Sequence, residues 1–572
     1  MKDVNYQKLA DVLEECIQYA KDLKVNMENP DGKRETFKIS DISITLLNYQ
    51  NRAILFKNGI KGESISMDQN AEISIHIWIS NKNKMVKSGF SYTGIIPDPE
   101  YLQIFFRGII NSNIKSAINK FFLTKVKDNK YSLSSDDEIV VDLPEIPIVE
   151  EFCENGLNKI ENLMKWLYIK PNIIGLNGSL SINRKVWIVC NSKGTKVIQY
   201  QDVCSVSFSF NYLSDKKILI EDVFVDYYKT FKELLTSLND IKNKLSKKLA
   251  KMETKRIDSG IYPILLKPSA VCTLFHEAIA GHMLSAKYIL NGNSTVFENK
   301  LGKRFANNGD MPALTHISIH DKPLDTSMVA SYRYDMEGTL AKDVCLLEKG
   351  IVRNYLTDKN CAARLKQKSN GHYLAECFTE RVSSGDLVAI VPEPRVSNLF
   401  VESHTDITLK EMEEAIFAEF DWYLEIDSRS GEVFIDTGTF DLFIDSVTRV
   451  YKNGRREAIS AGILSSNLTD FLASIQIVSN HYGESKGFCG SSSGYVTTHE
   501  KAPAMTLYGI NFVTDPKPEK YLEIDPIRDK FIPQSFLNEV LDGQLIRGSF
   551  SSSFFYPGIL RDRQILLMYD FV

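Results

Sequence analysis

The chain has 572 residues, of which 43% are hydrophobic, and it carries a formal net charge of −5. This length and apolar content predict two or three domains with buried cores, and the slight acidity argues against a nucleic-acid-binding protein. Its nine scattered cysteines lack CxxC pairs, which favours a reducing compartment over a disulfide framework. The N-terminal segment lacks an apolar signal region, and no run of about 18 apolar residues occurs. We therefore predict a cytoplasmic protein that does not bind membranes.

The first part of the chain alternates between helical and strand-like patterns. Apolar residues follow helical spacing over 5–24 and again over 101–122. The segment between them has a period of two, which is typical of strands, and Asn58-Gly59 marks a hairpin turn. These elements predict an N-terminal α/β unit over 1–132.

A second α/β unit is predicted over 133–257. It begins with a polar, proline-containing linker at 133–150. Residues 52–65 and 185–198 share a strand, an Asn/Gly turn and a strand, which indicates either a weak internal repeat or the chance similarity of two hairpins. Residues 223–256 are predicted to form one long connecting helix, whose basic end is interpreted as a solvated face.

From residue 258 onward the pattern changes to short strands and turns with few helices. We predict that 258–572 form a large, mainly antiparallel β domain. The predicted fold class is therefore α+β, with an N-terminal α/β part containing meander units. In the tail at 513–572, a helix is predicted at 533–545 and strands at 549–555 and 564–569, with no assigned function.

Two histidines and a carboxylate lie within seven residues of an apolar segment, Phe275-His276-Glu277-Ala278-Ile279-Ala280-Gly281-His282. A neutral imidazole is a common metal ligand, and a carboxylate can take a proton from a metal-bound water. The segment therefore indicates either a zinc peptidase site or a buried helix whose two histidines are satisfied within the core.

The spacing of the two histidines differs from the common zinc-helix pattern. That pattern places histidines four residues apart on one helix face, whereas His276 and His282 are six residues apart. At about 100° per residue, their side chains would point roughly 120° apart around an ideal α-helix. Both can bind one metal only if the helix loosens between them, and Gly281 permits such a change.

A family resemblance starts at this segment. The stretch SGIYPILLKPSAVCTLFHEAIAGH (259–282) resembles the start of the metal-bearing domain in the TldD/PmbA family of zinc metallopeptidases, on the TldD side. Further similar blocks follow in the order of the family, at 334–365, 369–372, 394–403, 430–467 and 487–512. The resemblance covers about 258–512, and several blocks in the right order are far more specific than any one of them.

The resemblance implies an N-terminal α/β part and a C-terminal antiparallel β domain. It also implies a dimer, either a homodimer or a heterodimer with a family paralogue, that encloses a zinc ion in a chamber. The implied substrate is an extended, unstructured peptide such as a leader peptide, held partly as an added strand.

The resemblance also implies roles for individual residues. His276, His282 and Cys489 match the metal ligands, and Glu277 matches the general base. A His₂Cys set with one open position is a reasonable catalytic zinc site, whereas the alternative for Cys489 is a small buried hydrophobe. Two departures occur. Four residues instead of three separate Glu277 from His282, and the acidic residue that often follows is absent from Met283-Leu284-Ser285-Ala286.

Three functions compete at this point. The first is an active zinc peptidase. The second is a non-catalytic partner subunit, which the altered histidine spacing favours and the presence of the His-Glu motif disfavours. The third is a cysteine hydrolase that pairs Cys489 with His481 or His499. Arg395 likewise has two interpretations, as a substrate-carboxylate ligand or as part of a structural ion pair.

Overall fold

The chain folds around two large β-sheets, one in each half of the sequence. The computed structural model describes residues 4–514, except 24, 29–31, 82–83, 96–98, 124–138, 216–218, 253, 307–310 and 382–386. The elements predicted at 533–545, 549–555 and 564–569 lie outside the described residues.

The N-terminal half contributes the following elements. They are α1 (Tyr6–Lys21), β1 (Val25–Glu28), β2 (Arg34–Lys57), β3 (Ile60–Asn81), β4 (Lys84–Ile95), α2 (Pro99–Leu123), β5 (Val141–Asp142), α3 (Glu154–Tyr168), β6 (Ile173–Asn191), β7 (Lys196–Leu213), β8 (Leu219–Tyr228), α4 (Phe231–Thr236) and α5 (Leu238–Leu249).

These strands form one eight-stranded sheet with the order β4-β3-β2-β6-β7-β5, in which β1 pairs with β2 and β8 with β7. The two predicted units therefore share a sheet, joined where β2 pairs antiparallel with β6. Asn58 and Gly59 have φ of 51° and 81°, as the predicted two-residue hairpin turn requires. The boundaries at 132 and 257 stay predictions.

The two faces of this sheet have different neighbours. Helices α1 and α2 cover one part of the first face, and α3, α4 and α5 cover the rest. On the second face, apolar side chains such as Leu47 and Trp187 join a cluster with residues of the C-terminal half, including Tyr334 and Cys489. The sheet therefore packs directly against the region that carries the candidate site.

The single long helix predicted over 223–256 is wrong. The chain instead forms strand β8, which ends at Tyr228, and then the short helices α4 and α5. In β8 the side chains of Phe224, Asp226 and Tyr228 are buried in alternation. Aromatic and β-branched residues with a period of two favour a strand, and pairing with β7 satisfies its backbone.

The C-terminal half contributes the following elements. They are β9 (Gly260–Ile261), β10 (Ile264–Leu266), α6 (Pro268–Phe275), a π-helical turn (His276–Ala280), α7 (Ala286–Leu290), a 3₁₀ turn (Pro312–His316), β11 (Ile317–Asp321), β12 (Val344–Glu348), β13 (Ile351–Val352), α8 (Lys359–Arg364), β14 (Tyr373–Leu374), β15 (Thr379–Arg381), β16 (Leu387–Ala389), β17 (Glu393–Pro394), β18 (Asn398–Ser403), α9 (Leu409–Glu419), β19 (Trp422–Phe434), β20 (Thr439–Tyr451), β21 (Arg456–Ile459), β22 (Gly462–Asn467), α10 (Leu468–Ser474), β23 (Ile475–Ser491), β24 (Gly494–Leu507) and β25 (Asn511–Thr514).

Most of these strands form a 13-stranded sheet with the order β13-β12-β11-β18-β24-β10-β19-β20-β22-β25-β9, with β21 on β20 and β23 on β24. Pairs are antiparallel except β10 with β19 and β18 with β24. The predicted α+β class, with a large and mainly antiparallel C-terminal sheet, is confirmed. Helix α6 packs on β19 and on the β23–β24 hairpin, so the sheet supports the motif helix. No helix in the described part of the chain is long and apolar enough to cross a membrane.

Candidate metal centre

The motif lies where helix α6 changes into a π-helical turn. Helix α6 begins with Pro268, whose fixed φ suits the first helical position. At its end, the N–H of Gly281 donates to the carbonyl of His276, five residues earlier, at 2.7 Å. The N–H of Leu284 likewise donates to the carbonyl of Ile279 at 3.1 Å. The helix is therefore widened between the two histidines, as their spacing requires.

Gly281 makes this widened turn possible. A Cβ atom at this position would lie 2.7 Å from Nε2 and 2.8 Å from the carbonyl oxygen of His276. Both distances are too short for non-bonded atoms, so any larger residue would have to displace the imidazole or the backbone. The glycine therefore leaves the space in which the His276 ring lies.

The β23–β24 hairpin brings Cys489 to the same place. Cys489 lies on β23 opposite Val496, and the strands turn through the two residues that follow Ser491. Gly494, the first residue of β24, has φ of +79°, a conformation that glycine adopts without strain. Long-range strand pairing thus places the thiol next to a helix that lies more than 200 residues earlier in the sequence.

His276, His282 and Cys489 come together as a buried cluster. One ligand atom from each lies within 4.8 Å of the other two, and Sγ of Cys489 is 3.5 Å from Nε2 of His282. The three residues are 4%, 7% and 3% exposed. Nε2 of His276 completes no hydrogen bond within the described part of the chain, so a buried imidazole nitrogen remains available as a ligand.

Glu277 lies beside this cluster. Its Oε2 atom is 3.8 Å from Nε2 of His282, and a Cβ atom on Gly431 of β19 would lie 2.9 Å from its Cγ. Burial raises the pKa of Glu277 to about 7, although the two neighbouring imidazoles lower it. A carboxylate with a pKa near neutrality is well suited to accept and return a proton.

Glu500 also belongs to this site, although no sequence pattern predicted it. Its Oε1 atom lies 3.1 Å from Nδ1 of His276, and the residue is 5% exposed. A carboxylate behind a metal-binding histidine orients the ring and leaves Nε2 for the metal. No distinct sequence signal marks it, because Glu500 stands between two other polar residues, His499 and Lys501.

The thiol of Cys489 and the imidazole of His276 shift each other's ionisation. Burial opposes ionisation of Cys489, but Arg395 and the two histidines lower the pKa of its thiol well below the usual value. Burial also opposes a charged His276, yet Cys489 and Glu500 raise the pKa of its imidazole well above the usual value. Two imidazoles and a thiol that ionises readily form a donor set that fits zinc.

Arg395 supports the hairpin and is not exposed to a substrate. It is 1% exposed, and its Nη2 donates to the carbonyl of Cys489 at 2.5 Å. Its Nη1 lies 3.9 Å from Oε1 of Glu393, whose carboxylate also pairs with Lys287. The structural interpretation of Arg395 is therefore the one that its contacts support.

The two histidines considered as partners for a catalytic cysteine lie elsewhere. Nδ1 of His499 accepts from the N–H of Val329 at 3.1 Å, and its Nε2 lies 3.3 Å from Glu484. His481 is exposed on β23. The imidazoles that lie beside the thiol of Cys489 are instead those of His276 and His282.

The C-terminal part of the chain matches a known protein family. Residues 259–511 match the sequence model of the PmbA/TldA metallopeptidase C-terminal domain, almost the whole span of the resemblance at 258–512. The predicted resemblance to the TldD/PmbA family is therefore confirmed over this C-terminal part of the chain. The matched residues include the π-helical turn, the β23–β24 hairpin and Glu500.

The individual relatives that match this chain are distant. A zinc metalloprotease TldD homolog of Saccharolobus solfataricus is 29% identical over 246 residues, which cover 43% of this chain and 50% of the relative. A metalloprotease of Methanocaldococcus jannaschii is 23% identical over 499 residues, covering 85% of this chain and 95% of the relative. The first match therefore spans only half of the relative's length.

A solved structure supports the fold of this chain. TldE from Thermococcus kodakarensis superposes with a TM-score of 0.61 and 14% identity, covering 88% of this chain and all of that chain. At this identity the comparison supports the architecture alone.

The widened helical turn yields a prediction about Gly281. Replacing Gly281 by alanine is expected to displace the His276 ring, because the new Cβ would lie 2.7 Å from Nε2. We expect zinc affinity to fall by at least about 10-fold and the protein to be destabilised by about 1–3 kcal/mol. Zinc titration and thermal unfolding test both effects. Gly487→Ala is the matched control, since a Cβ atom there meets open space. Wild-type zinc affinity in Gly281→Ala would contradict the prediction.

Proposed function

We propose that this protein is a zinc-dependent peptidase in which His276, His282 and Cys489 hold the metal and Glu277 is the catalytic base. One observation carries the proposal. The three buried donor atoms lie within 4.8 Å of one another, and a carboxylate of raised pKa lies 3.8 Å from one of them. Three protein ligands with one further position left open are typical of catalytic zinc sites.

The protein residues would divide the reaction between them. Zinc at this site would supply Lewis acidity to the scissile carbonyl and increase the acidity of water. Glu277 would accept a proton from the attacking water and return it to the leaving amine nitrogen. Glu500 would hold the imidazole of His276 through Nδ1, while Arg395 would hold the hairpin backbone at Cys489.

We further propose that the substrate is an unstructured peptide or leader peptide bound inside a dimer, either a homodimer or a heterodimer with a family paralogue. The names of two relatives, a zinc metalloprotease and a metalloprotease, support peptide hydrolysis. A site built from buried residues suits an extended chain better than a folded protein. Location in the cytoplasm stays a prediction.

One contact favours a second candidate, a cysteine hydrolase. Sγ of Cys489 lies 3.5 Å from Nε2 of His282, and the pKa of the thiol is lowered, as in a nucleophilic cysteine–histidine pair. The main argument for a non-catalytic partner subunit was the altered histidine spacing. That argument is weakened, because the widened helix brings His282 to the cluster despite this spacing.

A chelator experiment distinguishes the two enzymes. Hydrolysis of a mixture of unstructured peptides is expected to stop when a strong zinc chelator is added and to return when zinc is resupplied. Peptide cleavage followed by mass spectrometry measures both steps. A cysteine hydrolase would keep its activity in chelator and lose it with a thiol alkylator, and that result would overturn the zinc proposal.

A further inference from the structure

A short segment at 375–379, here called the strap, connects the N-terminal sheet to the candidate metal centre. Tyr49 on β2 and Lys185 on β6 lie directly opposite each other in the sheet. The Tyr49 hydroxyl donates to the carbonyl of Glu376, and the Lys185 ammonium donates to the carbonyl of Ala375. Two neighbouring strands therefore hold the same part of the strap from one side.

A third strand holds the other end of the strap. The carboxylate of Glu72 on β3 accepts from the N–H of Phe378 and, at 3.1 Å, from that of Thr379. Glu72 is 9% exposed. Hydrogen bonds to a buried carboxylate are strong and directional, so the position of the strap is set by β2, β3 and β6 together.

The strap in turn holds the turn of the β23–β24 hairpin. The backbone N–H of Glu376 donates to the carbonyl of Ser493 at 2.8 Å. The side chain of Glu376 contacts the same hairpin, and its Oε2 accepts from the N–H of Tyr495 at 2.9 Å. Between these two bonds, a Cβ atom on Gly494 would lie 2.6 Å from Glu376. Glu376 thus contacts the turn residue Ser493 and the first two residues of β24, Gly494 and Tyr495.

The hairpin turn that Glu376 contacts lies next to the part of β23 that carries the Cys489 thiol. Cys489 is two residues before Ser491, the last residue of β23, and pairs with Val496, one residue after Tyr495. Cys489 and Val496 also belong to the apolar cluster that contains Leu47 and Trp187 of the N-terminal sheet. A shift of the turn would therefore move Cys489 relative to the two histidines, which lie on a different element.

We propose that Glu376 is a positioning residue for the metal centre, and that the N-terminal sheet, through the strap, sets the place of Cys489 relative to His276 and His282. This inference rests on the proposed zinc site. Metal affinity depends steeply on donor positions, and groups that orient a ligand contribute about 10–100-fold to it. The N-terminal half would then contribute to metal binding without supplying a ligand.

The test compares three variants of the full chain by zinc titration against a competing chelator. Glu376→Ala is expected to bind zinc about 10–100-fold more weakly than the wild type. Glu376→Gln keeps an oxygen that can accept from the N–H of Tyr495, so its affinity should stay much closer to the wild type. Glu413→Ala is the matched control, because the Glu413 carboxylate likewise accepts a hydrogen bond, from the Tyr423 hydroxyl, but lies on α9.

A spectroscopic readout separates positioning from general destabilisation. With cobalt(II) in place of zinc, the thiolate-to-metal charge-transfer band should weaken or shift in Glu376→Ala and remain normal in Glu413→Ala at equal thermal stability. A folded Glu376→Ala protein with wild-type zinc affinity and cobalt spectrum would overturn the inference and leave the zinc proposal standing. A wild-type protein that binds neither metal would overturn both.

Tyr49→Phe keeps the inference testable if Glu376→Ala does not fold. This variant removes one hydroxyl donor to the strap and retains the ring, so it should fold. We expect a smaller loss of zinc affinity in the same direction, with a measurable change in the cobalt band. An unchanged affinity and an unchanged band in this variant would overturn the inference.

Discussion

Replacing Glu277 by glutamine is expected to lower peptide hydrolysis by about 10²–10⁴-fold while leaving the metal bound. Glutamine is nearly isosteric with glutamate, so it should fill the same space beside Gly431. It cannot accept a proton from water near neutral pH. The Glu277 carboxylate, with a pKa raised to about 7 by burial, can do so. The expected loss therefore lies in the chemical step.

Two measurements together test this expectation. Initial rates of peptide cleavage should fall, and zinc content by elemental mass spectrometry should match that of the wild type. Glu298→Gln is a suitable control, since Glu298 is exposed and lies in the loop after α7. Hydrolysis at the wild-type rate by fully zinc-loaded Glu277→Gln would remove Glu277 from the proposed mechanism.

Replacing Cys489 by alanine is expected to remove most of the bound zinc, with a loss of affinity beyond the roughly 100-fold upper range for supporting residues. The thiol lies 3.5 Å from Nε2 of His282, and Arg395 and both histidines lower its pKa. Without it, two imidazoles remain, and a two-ligand site holds zinc far more weakly than a three-ligand one.

The measurement is the zinc content of the purified wild type and of Cys489→Ala, both supplied with zinc and kept free of chelator. Cys345→Ala is the control, because Cys345 lies on β12, away from the centre. Equal zinc in wild type and Cys489→Ala would exclude Cys489 as a ligand. Little metal in a well-folded wild type would favour the non-catalytic partner-subunit function.

Several features of this protein followed from local sequence patterns. Helical spacing predicted α1 and α2, the Asn58-Gly59 pair predicted a hairpin turn, and the ordered blocks over 258–512 predicted the family. These features depend on contacts between residues that are close in the sequence, or on motifs read in order. The prediction of a connecting helix over 223–256 was wrong, because the start of this segment forms strand β8. Pairing of β8 with β7 outweighs the helical spacing there.

The sequence by itself determined which residue types are available to the site: His276, Glu277 and His282 in one segment, and Cys489 far downstream. Only the tertiary structure decided whether they meet. The π-helical turn brings two histidines of unusual spacing to one place, because close packing around Gly281 leaves room for the His276 ring. Glu500 and the strap join the site through strand pairing and hydrogen bonds across long sequence separations. No local pattern encodes those contacts, since burial and charge pairing exist only once the two sheets have packed.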